Sequence, residues 1–267
     1  MSTTSRIHPT ALIAGEAVLA DDVRVGPYAV IDGAAVIGPG CDIRAHAMIT
    51  GRVHLGQNNV VFPGAVLGEQ PQHVAYKGEP TTLEVGDGNM FRENVTIHRG
   101  TTCTGTTKIG NQNFFMANSH VAHDCVVGNR CIFANGALVG GHCTIEDNVF
   151  LSGNSALHQF VHVGRLALLS GCSASSKDVP PFVIQQRINA VVGVNVIGMK
   201  RAGMSDADIQ PVRKAFKMLF REGLTLPTAL ARIEEELGRF LPVAEMLQFI
   251  RQSKRGINFT RDRDEAA

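Results

Sequence analysis

A hydrophobic residue recurs at every sixth position from Ile7 to Leu67, and the same phase returns at Val85 and runs on to Leu169. Counted in sixes from 7 to 169, only His73 and Glu79 are neither apolar nor cysteine, so the period belongs to the architecture and not to composition. A helix repeats near 3.6 residues and a strand on two; neither repeats on six. The slot four residues after each beat is small or compact, as at Ala11, Ala29, Cys41, Ala47, Cys125, Cys131, Ala137 and Cys143. Glycine often follows the beat directly, as at Gly26, Gly56, Gly110, Gly128 and Gly164. A large inward residue, a small inward residue and a corner suited to turn conformations describe one short strand and one bend. Three such units close a triangular coil of about 18 residues, and successive coils pair as parallel strands about 4.8 Å apart.

With 267 residues and 44% apolar content, the chain can bury a substantial core. Tryptophan is absent and tyrosine nearly so, which reads as a prism interior too narrow for large rings. The six cysteines form no CxxC pair. Cys41, Cys125, Cys131 and Cys143 fill the small inward slot and Cys103 falls on the beat, so packing accounts for them better than disulfides or metal. A formal charge of +1 gives no reason to expect nucleic acid as a partner. No apolar run reaches about 18 residues and MSTTSRIHPT lacks the core of a signal peptide, so the expectation is a cytoplasmic protein without stable membrane insertion.

The repeat is expected to form an all-β solenoid over residues 7–178, within a first domain of residues 1–190. Two stretches leave the pattern, 69–82 (EQPQHVAYKGEPTT) and 99–108 (RGTTCTGTTK), and interruptions of a solenoid map to loops that often carry function. Asp178-Val179-Pro180-Pro181 is expected to end the coil, since two prolines cannot feed a parallel ladder. A small α-helical domain, residues 191–267, is read from the change to a 3.6-residue period. A connecting stretch runs to Lys200. A first helix follows the capping pair Ser205 and Asp208, a second spans Leu226–Phe240, a third follows Pro242, and a polar tail closes the chain.

Four histidines fall where the repeat is strongest: His120, His123, His142 and His158. A coil of about 18 residues stacks Gly141 above His123, with His142 beside it and His158 one coil further. Three readings compete for this column. The histidines are surface residues of one solenoid face, or three of them hold zinc as in solenoid enzymes of the carbonic anhydrase type, or one is a general base. No carboxylate is evidently spaced to orient each ring, as a zinc site needs, and the reading is of no metal.

The blocks FRENVTIHRGT (91–101), NSHVAHDCVVGNRC (118–131), ALHQF (156–160), DVPPFVI (178–184) and GVNVIGMKRAG (193–203) resemble the motif series of the UDP-N-acetylglucosamine O-acyltransferases, which open lipid A synthesis. The resemblance covers nearly the whole chain. It implies a left-handed parallel β-helix, a homotrimer, and direct transfer of an (R)-3-hydroxyacyl group from acyl carrier protein to the sugar 3-hydroxyl. No cofactor is implied beyond the carrier thioester. By the same matching, His123 is the base, Asp124 its orienting neighbour, and Gly141 the backbone N–H donor to the oxyanion. An imidazole with its ordinary pKa of about 6.5 suits the first role, and glycine suits the last because no side chain blocks approach. Gln72, His73, His120, His142, His158, Asn195 and Arg201 fall on substrate-binding positions. Gly171 falls on the residue that ends the acyl groove, which implies a chain of about twelve carbons or more.

The sequence departs from the family pattern in the first loop, where His73 and Ala75 stand in place of an aspartate and a lysine, with Lys77 two residues on. The stretch Gln186–Ala190 lacks a histidine usual in the uridine pocket, and Ile197 replaces an acidic residue. These changes lie on the acceptor side, so N-acylation of a 3-amino UDP-sugar and a non-catalytic binding solenoid stand as the alternatives.

Overall fold

The computed structural model describes residues 6–258, so the expected polar tail lies, past Asn258, outside the described residues. Among these, 27 strands, most of two residues, and four helices follow one another. The strands form three sheets of nine, eight and ten members, each sheet taking every third strand of the coil until its end, where Val183–Gln186 and Ala190–Val194 both join the third. Pairing is parallel with partners 18 residues apart wherever the repeat is uninterrupted, as in Leu12↔Val30, Val126↔Thr144 and Leu138↔Ala156.

Across the first loop the offset grows to 30 (Val66↔Thr96), and across the second to 24 (Thr82↔Thr106). The loops therefore insert 30 − 18 = 12 and 24 − 18 = 6 residues. Both are multiples of six, which is why the beat keeps its phase past them. Cys103 consequently keeps count without keeping place: it sits in the second loop and is exposed, not packed inside.

The apolar beat residues from Val25 onward build the core, with Ile31, Ile49, Leu67, Ile97, Val121, Leu151 and Leu169 fully buried, while Ile7 at the open end is exposed. The prism is wider than the missing tryptophan suggests. Phe91, Phe115 and Phe133 stack in successive coils with ring centroids 5.1 and 4.4 Å apart, so phenyl rings fit by lying flat on one another. The four cysteines of the inward slot are buried free thiols, and Cys125 and Cys143 each donate to a carbonyl at 3.2 Å.

The corners differ in detail from the sequence expectation. Glycine after the beat serves close approach: a Cβ on Gly164 would stand 2.5 Å from Pro181 N. The left-handed turn falls two residues later, at Asn58 (φ 57°), Asn118 (61°), Asp124 (60°), His142 (61°) and Asn148 (58°). Asparagine and aspartate tolerate that conformation better than other L-residues.

The 18-residue register ends at Pro180-Pro181, as expected, but the parallel ladder does not. The strand Val183–Gln186 still joins the third sheet in parallel, with Leu168↔Ile184 at an offset of 16, and Ala190–Val194 then folds back antiparallel on it. The prolines occupy the corner between strands, where no ladder hydrogen bond is asked of them. The helices are α1 (Val196–Arg201), α2 (Asp206–Phe220), α3 (Leu226–Leu237) and α4 (Leu241–Gln252), four instead of three. The additional one, α1, is six residues long, too short to display a helical period. Ser205 and Asp208 form the expected capping box. No helix among the described residues is long and apolar enough to cross a membrane. Arg165 binds Glu245 of α4 through two contacts of 2.9 and 2.7 Å, and Ser253 donates to Asp178 at 2.6 Å, tying the helices to the coil end.

The hydroxyls of Ser119 and Ser155 are buried in the small inward slot without a partner among the described residues. Removing an unpaired buried hydroxyl relieves a desolvation cost, whereas removing a stacked ring opens a cavity. Ser155→Ala should leave the urea midpoint unchanged or raise it, while Phe115→Ala should cost about 3–5 kcal/mol. A serine variant destabilised as much as the phenylalanine variant would contradict this packing.

Candidate active site

The corner after Val121 carries the reactive groups. The left-handed φ of Asp124 turns the chain so that its carboxylate reaches back to the preceding side chain, and His123 Nδ1 donates to Asp124 Oδ2 at 2.7 Å. With Nδ1 engaged as donor, the lone pair of the neutral ring is on Nε2. One coil further, His142 N–H donates to His123 C=O at 3.0 Å and sets Gly141 against the ring of His123. A Cβ on Gly141 would lie 2.7 Å from His123 Cε1 and 2.9 Å from Nε2, so only glycine fits. The Gly141 N–H has no acceptor among the described turns and loops. His142 presents its ring edge to His123 at 5.1 Å, lies flat on Phe160 at 4.5 Å, and holds Nε2 3.7 Å from Asp124 Oδ2.

Both inserted loops converge on this corner. In the second, the Asp124 carboxylate accepts from Thr101 N–H (3.0 Å), Thr101 Oγ1 (2.8 Å), Thr104 N–H (3.3 Å) and Thr104 Oγ1, while Thr107 Oγ1 accepts from Asp124 N–H (2.8 Å). The first is pinned through Arg99, which donates to Gly68 C=O at 2.7 Å and to Tyr76 Oη at 3.2 Å. That fixes His73 with its ring edge-on to His123 at 5.2 Å, while Gln72, Ala75 and Lys77 are exposed along the rim.

The expected histidine column divides. His123, His142 and His73 form one group. His120 accompanies His98, ring centroids 4.9 Å apart, with its Nδ1 2.7 Å from Thr96 Oγ1. His158 is exposed and stands apart, beside Arg255 at 3.5 Å. Asn195 is engaged in the fold: its Oδ1 caps α1 at Gly198 N–H (3.0 Å) and its Nδ2 donates to Leu166 C=O (2.8 Å). Arg201 is exposed at the end of α1. Gly171 lies at the corner after the third sheet, on the other edge of the sheet whose strands lead into His123 and Gly141, and an added Cβ there meets nothing nearer than Gly153 C=O at 3.5 Å. His98, Thr101, Thr104 and Thr107 were not singled out from the sequence. The threonine spacing of three within the second loop was the available signal.

His123, Asp124 and His142 bring possible metal ligand atoms within 4.8 Å of one another. The carboxylate, however, already accepts five hydrogen bonds, including that from His123 Nδ1, which suits an orienting group better than a spare ligand.

Fold and repeat give the class first. Residues 16–51 and 106–141 match the bacterial transferase hexapeptide (six repeats), so the chain is a hexapeptide-repeat transferase. Residues 178–258 match domain 2 of UDP-N-acetylglucosamine O-acyltransferase. The chain is 47% identical over 208 residues to the acyl-(acyl-carrier-protein)–UDP-N-acetylglucosamine O-acyltransferase of Anaeromyxobacter sp. (strain Fw109-5), covering 77% of this chain and 81% of that one. The UDP-N-acetylglucosamine acyltransferase structure from Bacteroides fragilis superimposes with a TM-score of 0.91 at 40% identity, over 93% of this chain and 98% of that one. The Acinetobacter baumannii structure gives 0.91 at 41%, over 95% and 99%. The chain belongs to the UDP-N-acetylglucosamine O-acyltransferase family, and its β-helix is the left-handed one.

Burial would raise the Asp124 pKa, but the hydrogen bonds from Thr104, His123 and Thr101 outweigh it and hold the carboxyl at about 2. Burial, with the nearby His120 and His123, pushes His98 down to about 4. Burial likewise lowers His120 and His142, in the latter against the pull of Asp124. Between about 6.5 and about 4 the unfolded chain binds a proton at His98 that the folded chain does not, so stability should fall as pH is lowered through that window. A further loss should follow below 3.8 as Asp124 is titrated towards about 2. His98→Asn should flatten the pH dependence of the urea midpoint above pH 4, where each such histidine contributes up to about 1.4 kcal/mol per pH unit. An unchanged slope in that variant would refute the assignment.

Proposed function

We propose that this chain transfers an (R)-3-hydroxyacyl group from the thioester of acyl carrier protein to the 3-hydroxyl of UDP-N-acetylglucosamine, the opening step of lipid A synthesis, with His123 as general base. The observation that carries the reading is the stack of Asp124, His123 and Gly141. It supplies a carboxylate partner, a free imidazole nitrogen and an uncommitted backbone N–H at one corner.

In the reaction, the sugar 3-oxygen attacks the thioester carbonyl as its proton passes to His123 Nε2. The carbonyl oxygen becomes an oxyanion, held by Gly141 N–H. Collapse re-forms the carbonyl and breaks the carbon–sulfur bond, and the departing thiolate of the carrier takes the proton back from His123. Proton transfer of this kind contributes about 10²- to 10⁴-fold, and one oxyanion donor about 10²- to 10³-fold. The thioester is already activated, so the reading needs neither cofactor nor metal. Asp124 keeps its charge throughout and stabilises the imidazolium that forms beside it.

Gln72 and His73 border the acceptor, and His120, His142 and His158 orient sugar, phosphates or the pantetheine arm. Arg201 serves the nucleotide as a permanently charged donor to phosphate, and Asn195, its amide bound to Gly198 and Leu166, serves it by fixing the start of α1. The open space at Gly171 favours a long acyl chain, of about twelve carbons or more. The reading includes a cytoplasmic homotrimer. The exposed apolar side chains of Leu12 (66% accessible), Val18 (61%), Val126 (45%) and Leu138 (49%), on outer faces of the solenoid, support a subunit interface there.

A product assay tests this function. UDP-N-acetylglucosamine and its 3-amino analogue are offered with hydroxyacyl carriers of several lengths. The expected product is the O-ester of the N-acetylglucosamine sugar, with the longer chains preferred, and His123→Ala should lose activity by about 10³-fold or more while keeping the wild-type fold. Wild-type-like turnover by that variant, or turnover of the amino sugar alone, would sink the proposal.

A further inference from the structure

The Asp124 carboxylate has no solvent-exposed surface, and two imidazoles compete for it: His123 Nδ1 at 2.7 Å and His142 Nε2 at 3.7 Å from the same Oδ2. A small rotation about the carboxyl group would transfer the short contact from one ring to the other. What opposes that rotation comes from the six-residue second loop alone. Oδ1 is held by Thr101 N–H, Thr104 N–H and Thr104 Oγ1, and Oδ2 is shared between Thr101 Oγ1 and His123. The backbone N–H of Asp124 donates to Thr107 Oγ1 in the strand Thr106–Ile109 that follows the loop. Nothing in the solenoid repeat requires these threonines. The loop is an insertion, and two of its hydroxyls, three residues apart, converge on one carboxylate.

We propose that Thr101 and Thr104 are positioning residues for acyl transfer: they lock the Asp124 carboxylate onto His123 and away from His142, and so hold the proton of the neutral ring on Nδ1 and leave the Nε2 lone pair aimed at the acceptor. The inference rests on the reading of His123 as the base. The depressed pKa of Asp124 agrees with it, since the threonine donors are among its causes. The titratable and charged groups around this carboxylate are His123 and His142 at its own corner, His73 from the first loop, His98 and His120 from the neighbouring strands, the buried Cys125 thiol, and Arg99 at the base of the second loop.

Thr104 is exposed, so Thr104→Val should fold as the wild type does. Its kcat should fall about tenfold with KM for the UDP-sugar within about twofold, because an interaction that orients the base acts in the transition state. The acid limb of its pH–rate profile should also move to lower pH, because the imidazolium loses a fixed counter-charge. A merely structural loop would lower the fraction of active enzyme and leave the limb where it was. Thr104→Ser, which keeps the hydroxyl, should restore both rate and limb, and Thr101→Val should repeat the valine effect. If valine and serine variants lose activity equally, or if valine changes neither rate nor limb, the inference fails. Activity surviving in His123→Ala would instead remove the reading beneath it, so the two failures are distinct.

Discussion

The hydrogen bond from His142 N–H to His123 C=O, 3.0 Å long, is one rung of the ladder that joins each coil to the next. Every other feature of the site depends on that ladder. The rungs fix the rise between coils near the spacing of paired strands, about 4.8 Å, and that rise sets the imidazole of one coil against the glycine of the next. At this separation a ring and a Cβ cannot coexist, as the 2.7 Å approach to His123 Cε1 makes plain. A side chain contributes the base and a bare backbone contributes the N–H, because the coil spacing admits no other division.

Two perturbations turn a uniform prism into a site. The corner residue Asp124 takes the left-handed conformation that recurs at this place in most of the hexapeptides around it, which folds its carboxylate back towards its own neighbour. The two insertions add polar groups that the repeat cannot supply. One loop clamps the carboxylate with threonines, and the other, held by Arg99, carries His73 to the edge of the base. Since the loops add 12 and 6 residues, they leave the hexapeptide phase and the packing of the coils beyond them intact. The scaffold is thus rigid where the site needs precision and variable where a substrate is recognised.

The sixfold beat made the solenoid legible from Ile7 to Leu169, because an inward residue every six positions has no other simple geometric meaning. The 18-residue register likewise brought Gly141 to His123 before any coordinates. The limits are physical too. Cys103 keeps the count while lying in a loop, since a period cannot distinguish a strand from an insertion of equal length. Pro180-Pro181 reads as a terminator, yet the prolines occupy a corner and the ladder resumes at Val183. The four histidines look like one column, but His158 and His120 face other neighbours, because stacking by sequence offset says nothing of side-chain direction. Asn195 lies in a family motif, and only the structure reveals that its amide already joins α1 to Leu166. The threonines at 101, 104 and 107 read as an insertion of low complexity; their convergence on Asp124 is a property of the folded loop.

Coil stacking and the second loop together hold the proton of the neutral His123 ring on Nδ1, facing Asp124, and its lone pair on Nε2. Nitrogen NMR of the enzyme with ¹⁵N-labelled histidine, assigned by loss of the His123 signals in His123→Gln, reports that tautomer directly. In the neutral ring Nδ1 should be protonated and hydrogen-bonded and Nε2 unprotonated. A proton on Nε2 with a bare Nδ1 would contradict it.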